Sequence, residues 1–383
     1  MSIVSAREQL GIGSGTSVAI GSLQSLPVDA GSFTASETVE QILDTGRRGA
    51  EAMDYGAYSG VKSTEISFDF PMMYGNPTLA AGNTGSVLGI LLKSLLGTTA
   101  GTGVTNTLKQ TDAGSSTGNY NNYFRLGKTK NYITIARRLL SHGDSNTDQD
   151  VRYTAARCNE ITISGNAGEG FITCSASLTS KSGLTTDMSS LTNGNFKTQT
   201  LSSDIQRGWE NIAVATYAQK IAGVTVTNLI SWEVTLSRAA SPIYTAANSQ
   251  DYNDLYLGPL EVTFSAVASV PDNALIALHR AGTQGVTQFA ASMGHATHSN
   301  VACRALVIGM DKSVLTEAPL ELDTSGDYVT ISLSGRGLAN DLGAALEPST
   351  DVFTTATNVN QVTPVEILIK EKGVNASGSV PTY

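Results

Sequence analysis

The sequence predicts a mainly β protein with two similar halves, and three observations lead to this prediction. Apolar residues make up 40% of the 383-residue chain, enough to build a core, whereas charged residues make up only 15%. Ser, Thr, Gly and Ala supply much of the remainder, a mixture that favours strands and turns over long helices. Many short segments alternate apolar and polar residues, and one arrangement of strand and helix occurs twice.

The alternating segments predict most of the strands. In residues 63–70 (STEISFDF), three apolar side chains alternate with polar ones, the period of a half-buried strand. Residues 159–178 contain two such runs around a Gly-Asn turn, which predicts a hairpin. Residues 231–237 (SWEVTLS) place Trp232 and two aliphatic residues on one face of a strand. The same pattern predicts a hairpin at 211–228 and strands at 131–138, 260–267, 304–310, 327–335 and 365–373.

The most apolar run of the chain, residues 84–97 (TGSVLGILLKSLLG), predicts a short buried helix. Thr84 or Ser86 can cap its N-terminus, and Gly97 stands where a helix-ending glycine belongs. Apolar residues cover most of its circumference, so we expect the helix to lie inside the core. The stretch Val87–Leu96 contains ten residues, about half of the roughly 20 that span a bilayer, so we expect no membrane anchor here.

A second short helix is predicted at 272–282 (DNALIALHRAG), and both helices follow the same kind of segment. The first helix follows DYGAYSGVKSTEISFDF, which begins at residue 54, and the second follows DYNDLYLGPLEVTFSAV, which begins at residue 251. Each segment reads Asp-Tyr, a short polar stretch, a second Tyr, a Gly and then an alternating strand. Since the two segments lie about half a chain apart, we expect a tandem duplication; chance similarity between short β motifs is the alternative.

The composition of the connecting segments agrees with this division. The Gly-rich first residues are expected to form a flexible arm, and a polar stretch rich in Ser and Thr is expected to join the halves. The predicted organisation is an N-terminal arm at 1–30, a first domain at 31–190, a linker at 191–211, a second domain at 212–372 and a flexible tail at 373–383.

Charge and cysteine content argue against two classes of protein. The net charge of −9 argues against a surface that grips nucleic acid, because phosphate binding needs clustered Lys and Arg. Three cysteines do not make a disulfide scaffold. We expect Cys158, Cys174 and Cys303 to be buried free thiols, with a cross-strand disulfide between Cys158 and Cys174 as the alternative.

No motif predicts catalysis, a cofactor or a metal. The Gly-rich residues 11–22 lack the preceding strand and following helix of a dinucleotide-binding loop. Residues 144–150 open like a calcium loop but lack its glycine and closing glutamate, and the His and Cys residues of 295–303 are too few for zinc. Carboxylate pairs such as Asp251 and Asp254 occur in any acidic protein. We therefore expect no enzyme activity, no cofactor and no bound metal.

Polar segments upstream of the two recurring strands are candidates for contacts between subunits. The first is QILDTGRRGAEAMDYG and the second is RAASPIYTAANSQDYNDLYLG. We expect each to form a protruding hairpin; solvated loops are the alternative. The candidate contact residues in and beside these segments are Arg47, Arg48, Tyr55, Tyr58, Tyr252 and Tyr256.

In the order of these features the chain resembles the tail tube proteins of long-tailed bacteriophages. The first half has a Gly-rich start (LGIGSGTS), a first strand (LPVDAGSFTAS), an Arg-containing hairpin (DTGRRGAEAMDYGAYSG), a strand and a short helix. The second half repeats that order, from IAGVTVTNLISWEVTLS through DNALIALHRAG to DYVTISLSG. The similarity covers nearly the whole chain. It implies two tandem tail-tube-like β-sandwich or barrel domains, each with one short α-helix and a long hairpin or loop.

The resemblance also implies a function. The protein would be the major tail tube subunit, a structural virion protein whose rings stack around a channel for viral DNA. The helix would pack on the outside of the sheet, and the long hairpin would contact the neighbouring ring. With two copies of the domain per chain, three chains would complete a ring with pseudo-six-fold symmetry; a homohexameric ring is the alternative.

Partners and location follow from the same resemblance. Besides further copies of the chain, the implied partners are a tape measure protein and the tail terminator and distal tail proteins. Viral DNA would pass through the lumen without specific binding, since an acidic surface repels phosphate. The protein would be made in the host cytoplasm and reside in the virion tail. The alternative function is another β-rich viral structural role, as a tail terminator, a capsid decoration protein or an adhesin module.

Overall fold

The fold is taken from a computed structural model, and its description covers the greater part of both halves. The described residues are 8–29, 31–44, 56–74, 86–97, 104–109, 119–127, 129–139, 150–168, 170–185, 196, 205–206, 208, 218–246, 249–269, 274–293, 304–318, 320–322, 329–339 and 363–372.

Within this part of the chain there are 21 strands and two α-helices, so the predicted mainly β fold is confirmed. The first half contains β1 (Glu8–Ser14), β2 (Gln24–Ser25), β3 (Thr34–Asp44), β4 (Gly56–Pro71), α1 (Val87–Leu96), β5 (Val104–Lys109), β6 (Asn119–Arg125), β7 (Ile133–Leu139), β8 (Val151–Asn166), β9 (Thr173–Ser180) and β10 (Leu184–Thr185). The second half contains β11 (Lys220–Ile221), β12 (Val224–Thr225), β13 (Leu229–Ser237), β14 (Ala240–Ile243), β15 (Asp254–Leu257), β16 (Glu261–Ser269), α2 (Ala274–Ala281), β17 (Gly285–Met293), β18 (Arg304–Glu317), β19 (Leu320–Leu322), β20 (Val329–Gly337) and β21 (Glu366–Lys372).

The two halves share one scheme of antiparallel strand pairing. In the first half β1 pairs with β2 and β7, β4 pairs with β3 and β9, and β8 pairs with β7 and β9. In the second half β11 pairs with β12 and β17, β16 pairs with β13 and β20, and β18 pairs with β17 and β20. The helices occupy equivalent positions, because α1 follows β4 and packs on β8, whereas α2 follows β16 and packs on β18.

Register shifts fall at equivalent places in the two halves. Along β9 the register of β8 shifts between Cys158 and Glu160, and along β20 the register of β18 shifts between Leu315 and Glu317. A β-bulge is a specific local feature that bends and twists its strand, so a shared bulge aligns the two strands residue by residue. Glu160 in β8 therefore corresponds to Glu317 in β18.

The hairpins of the two halves also align. In β3 and β4 the pairing shifts by one residue after Val39 and resumes with Gln41 opposite Ser59, three residues after Thr38. In the second half the same shift follows Ser237, and the pairing resumes with Ala240 opposite Leu257, three residues after Ser237. Thr38 therefore corresponds to Ser237. We call the distal parts of these hairpins the first arm (residues 41–44 and 56–59) and the second arm (β14 and β15).

Helix α1 forms as the sequence predicts. The Ser86 hydroxyl accepts a hydrogen bond from the Gly89 N–H at 3.1 Å, and Gly97 ends the helix with a φ of 81° that favours glycine. Every residue of α1 except Lys93 is buried, as expected for a helix that is apolar on all sides. Helix α2 also forms within the predicted 272–282, and Gly282 follows it with a φ of 59°.

One hydrophobic core runs through both halves. Phe33 stacks on Phe68 with ring centroids 6.3 Å apart in the first half, and Trp232 stacks on Phe289 at 5.4 Å in the second. These rings belong to a single buried cluster that also includes α1. The halves are therefore joined by continuous apolar packing.

The structure corrects the expectation of a flexible N-terminal arm. Residues 8–14 form β1, which pairs along its whole length with β7, and Leu10 and Ile12 are buried. The Gly residues that suggested flexibility instead allow close packing, since a Cβ on Gly11 would lie 2.7 Å from the Phe196 ring. Phe196 itself falls in the predicted linker and is buried, so this point of the linker packs against the first half.

Two further expectations lie partly outside the described residues. In the predicted hairpin at 211–228, β11 and β12 form a short hairpin with Ala222 and Gly223 at positive φ, whereas 211–217 lie outside the described residues.

Cys158 and Cys174 are free and buried, as expected, and burial raises the pKa of both thiols. The alternative disulfide does not form, because Cys158 lies opposite Leu178 and Cys174 opposite Ile163. Cys303, the linker except 196, 205, 206 and 208, and the tail at 373–383 lie outside the described residues.

The packing of β20 against β16 and β18 gives a test of the second half. A Cβ on Gly335 would lie 2.6 Å from the Val314 carbonyl oxygen and would overlap the Phe264 ring. Gly335→Ala should therefore destabilise the protein by about 1–3 kcal/mol through overpacking. The measurement is urea unfolding followed by tryptophan fluorescence.

Gly21→Ala is the matched control, because a Cβ there meets nothing within 4 Å. It should leave the unfolding midpoint unchanged or raise it slightly, by up to about 1 kcal/mol. Equal behaviour of the two variants would contradict the described packing of β20.

Candidate assembly interface

The sheet of the first half continues into the second half through β8 and β13. One edge of β8 pairs with β9, and its other edge pairs with β13 from Glu160 opposite Ser237 to Asn166 opposite Ser231. The strands therefore stand in the order β3, β4, β9, β8, β13, β16, β20 and β18. We call the β8–β13 pairing the inner junction.

The inner junction is well packed and hydrogen-bonded. Val234 and Leu236 of β13 lie opposite Ile163 and Ile161 of β8, and all four side chains are fully buried. The hydroxyls of Thr162 and Thr235, which face each other, lie 3.0 Å apart. Cross-strand pairs of this kind stabilise a sheet, so the two halves form a permanent contact.

Arg238, directly after β13, stabilises one end of the inner junction through hydrogen bonds. Its backbone N–H donates to the Asn159 carbonyl at 2.8 Å. Its guanidinium donates to the carbonyls of Leu95, Leu257 and Gly258 at 2.9, 3.1 and 2.7 Å. One side chain thus links the end of α1 to the second arm, and burial lowers its pKa from the usual value.

The second arm lies across the first half. Arg157 Nη1 donates to the Leu255 carbonyl at 3.1 Å, and the Tyr252 hydroxyl donates to the Ala155 carbonyl at 2.9 Å. The Asp251 carboxylate accepts from the Ser182 hydroxyl at 2.6 Å. Since all of these bonds cross between halves, the second arm belongs to the same interface as the inner junction.

Asp254 is the acidic centre of this interface. Its carboxylate pairs with the Lys130 ammonium and accepts a hydrogen bond from the Tyr132 hydroxyl at 2.6 Å. These bonds, that of Lys130 first, lower the pKa of Asp254 to about 2. Burial, together with the bond to Asp254, raises the pKa of Tyr132 to about 12.

A second connection between the halves uses β6 and β21. These strands pair antiparallel, so β6 of the first half extends the sheet of β18. Arg125 donates to both carboxylate oxygens of Glu366, at 2.6 and 2.9 Å, and Glu366 is buried. Desolvation raises the pKa of Glu366, and the Arg125 guanidinium opposes that shift.

Within the described residues, the row of strands has one unpaired edge at each end. Among the described residues, β3 pairs with β4 on one side and with no strand on the other. At the opposite end, β18 and β19 lie one after the other and both pair with β20. The pairing of β18 with β17 ends at Ser313. After Ser313, the edge of β18 and β19 that faces away from β20 has no strand partner within the described part of the chain. Unpaired edges of this length are sites for pairing with another chain.

The predicted contact residues fall into three groups. Tyr58 and Tyr256 are 62% and 55% exposed and occupy equivalent positions, opposite Ile42 in the first arm and Ser241 in the second. Tyr252 is buried inside the chain, so it serves the contact between halves rather than one between chains. Arg47, Arg48 and Tyr55 lie outside the described residues.

Several residues of the interface were not predicted from the sequence. Arg238 directly follows the strand SWEVTLS, but a cation after a strand is a common pattern with no specific meaning. Asp251 and Asp254 look like an unspecific carboxylate pair in the sequence, but each binds residues of the first half. Ile42 and Leu43, which are 52% and 53% exposed, have a signal in the sequence, since two adjacent apolar residues stand in a polar hairpin.

In the described part of the chain, neither helix is long and apolar enough to cross a membrane, and no group of three His, Cys, Asp or Glu residues could hold a metal. Residues 144–149 of the calcium-like segment and the His and Cys residues of 295–303 lie outside it. No protein-family model matches the chain, and no curated protein matches it either. Function is therefore inferred from the sequence pattern and the geometry of the sheet edges.

The hydrogen bonds of Arg238 give a test of the interface. Arg238→Ala leaves three carbonyls without their donor, so it should lower the free energy of unfolding by about 2–3 kcal/mol. In the control Arg336→Ala, an ion pair with Glu261 is lost at a site where both side chains are more than half exposed, which should cost less than about 1 kcal/mol. Urea unfolding measures both; equal losses would contradict the role assigned to Arg238.

The low pKa of Asp254 predicts a pH dependence. Its folded-state pKa of about 2 lies below the ordinary 3.8, so its contribution to stability is present above pH 4 and is lost as the pH falls toward 2. Asp254→Asn should therefore have a lower melting temperature than the wild type at pH 7, and this difference should shrink between pH 4 and 2. Asp69→Asn, at an exposed position, controls for loss of charge alone. A difference that stays constant down to pH 2 would contradict the assigned ion pair.

Proposed function

We propose that the protein is the major subunit of a viral tail tube, with two tandem copies of one tube domain in each chain. The observation that carries the proposal is the shared pairing scheme of the two halves, together with their edge-to-edge connection through β8 and β13. The order of sequence features, which resembles tail tube proteins over nearly the whole chain, supports it independently.

Assembly follows from the two exposed edges. β3 and the β18–β19 row are different surfaces at opposite ends of one row of strands, so contact between them is head-to-tail. A head-to-tail contact either closes into a ring or extends into an open filament. Closure removes the exposed edges, which is how β proteins avoid uncontrolled aggregation. With two domain copies per chain, three chains give a ring of six equivalent positions.

Stacked rings would form a tube with a lumen for DNA. The net charge of −9 suits this role, since an acidic wall repels the phosphate backbone and lets DNA move without binding. Tyr58 and Tyr256, exposed at equivalent positions of the two arms, are the candidates for contacts between rings. The protein would reside in the virion tail, with a tape measure protein, a tail terminator and a distal tail protein as partners.

Self-assembly of the purified protein tests the proposal. Light scattering should give particles of three times the 39.9 kDa chain mass or multiples of that value. Negative-stain electron microscopy should show rings with six lobes, alone or stacked into tubes. Six chains in a ring would keep the function and overturn the duplication. Monomers, or two-fold dimers without rings, would overturn the function and favour a decoration or adhesin module.

A further inference from the structure

The contact between the two halves provides a template for the contact between two chains. β13 corresponds to β3, and β8 corresponds to the β18–β19 row, because their partners and register shifts agree. β13 and β8 are paired with each other inside the chain, whereas β3 and β18–β19 each have an unpaired edge among the described residues. The partner that fits each exposed edge is therefore the other edge on a second copy of the chain.

We propose that β3 of one chain pairs antiparallel with β18–β19 of a second copy, with Thr38 opposite Glu317. The register is read from the inner junction, where Ser237, the equivalent of Thr38, lies opposite Glu160, the equivalent of Glu317. It places residues 33–38 along residues 317–322. This proposal rests on the proposed function and specifies the surface through which the rings form.

The β18–β19 row is long enough to accept β3. Glu317 lies opposite Ser334 of β20, and Leu320 lies opposite Ile331, so β19 continues the register of β18. Of the residues that the proposed register uses, Glu317 belongs to β18 and 320–322 belong to β19, and residue 319 lies outside the described residues. The corresponding part of β8, residues 160–166, is one unbroken strand at the inner junction.

One carbonyl at this edge has the same role as its equivalent at the inner junction. At the inner junction the Asn159 carbonyl accepts from the backbone N–H of Arg238 at 2.8 Å. The equivalent carbonyl, that of Thr316, accepts a hydrogen bond from His279 Nε2 at 3.1 Å, so it also faces away from β20. A carbonyl oxygen has two lone pairs, so Thr316 retains capacity for the N–H of Val39, the equivalent of Arg238.

Side-chain charge and strand geometry disfavour two of the slipped registers. In the proposed register Glu317 meets Thr38, an uncharged residue of similar exposure. A slip of two residues in one direction would place Glu317 opposite Glu40, and like charges directly opposite each other destabilise a strand pair. A slip of one residue would turn every side chain of β3 to the other face.

The inner junction contains two arginines that the proposed contact between chains lacks. At the inner junction, Arg238 and Arg157 connect the second arm to the first half. The equivalent residues at the unpaired edges are Val39 and Val314. The proposed contact between chains therefore has no equivalent of these two buried arginines. Folded subunits can form this contact after synthesis without first ordering buried charges.

Disulfide trapping tests the register directly. Because Arg238 N–H bonds to Asn159, the pair one residue along, Ser237 and Glu160, is a non-hydrogen-bonded pair, in which the Cα atoms lie about 4.5 Å apart. That distance suits a disulfide. Thr38→Cys with Glu317→Cys, combined with Cys303→Ser, should give covalent oligomers up to the ring size after mild oxidation of assembled protein. Cys158 and Cys174 are buried and stay in place.

Two control pairs define the outcome. Glu160→Cys with Ser237→Cys should form a disulfide within the chain and yield no oligomers. Glu40→Cys with Glu317→Cys, the slipped register, should yield at least tenfold less covalent oligomer than the Thr38 pair. Stronger trapping by the slipped pair, covalent dimers from Thr38→Cys alone, or rings without trapping would each overturn the proposed register while the proposed function stands. Absence of rings in the wild type would overturn the function itself.

Hydrogen exchange on the wild-type protein provides a second measurement, which does not depend on the folding of any variant. In the proposed register the outward-facing backbone amides are those of residues 33, 35, 37 and 39 and of 318, 320 and 322, and these should become protected when subunits assemble. Those of 231–237 in β13 should be protected before and after. Amides of β3 that exchange equally fast in both states would overturn the proposal.

Discussion

The constraint on which the structure depends is that the backbone groups of every strand need hydrogen-bond partners. A sheet meets this need everywhere except along its outermost strands. In this protein β8, the last strand on one side of the first half, pairs with β13 of the second half. This pairing joins the strands of the two halves into one row. Arg238 donates hydrogen bonds to β8, to α1 and to the second arm, the three elements that meet beside this pairing. In the described part of the chain one strand edge at each end of the row has no partner, and in the proposed assembly these edges pair between chains.

Much of the fold could be predicted from local sequence because the relevant physics is local. The alternation in STEISFDF and SWEVTLS produces buried Phe68 and Trp232 as expected, and Ser86 and Gly97 bound α1 through interactions within one helical turn. The prediction of a flexible N-terminal segment is wrong because the interaction that orders this segment is not local. Its glycines suggest flexibility, yet β1 is ordered by pairing with β7, which lies more than a hundred residues away, and no local pattern announces that partner.

The interface was the least predictable part for the same reason. Tyr58, Tyr252 and Tyr256 stand in similar sequence surroundings, but only the structure separates the exposed pair from the buried Tyr252. Asp254 binds Lys130 and Tyr132, residues about 120 positions earlier, so its role could not be read from its neighbours. The recurring Asp-Tyr segments did indicate which parts of the two halves correspond, and the strand pairing extends that correspondence to single residues such as Glu160 and Glu317.

The central claim is that one mode of edge pairing joins both the halves within a chain and the chains within a ring. A cryo-electron microscopy reconstruction of assembled protein tests it most directly. The account predicts that the strand next to β3 is β18–β19 of another chain, and that this interface superimposes on β8 and β13 of the same particle. A map in which β3 borders solvent, or pairs with β3 of a second chain across a two-fold axis, would contradict it.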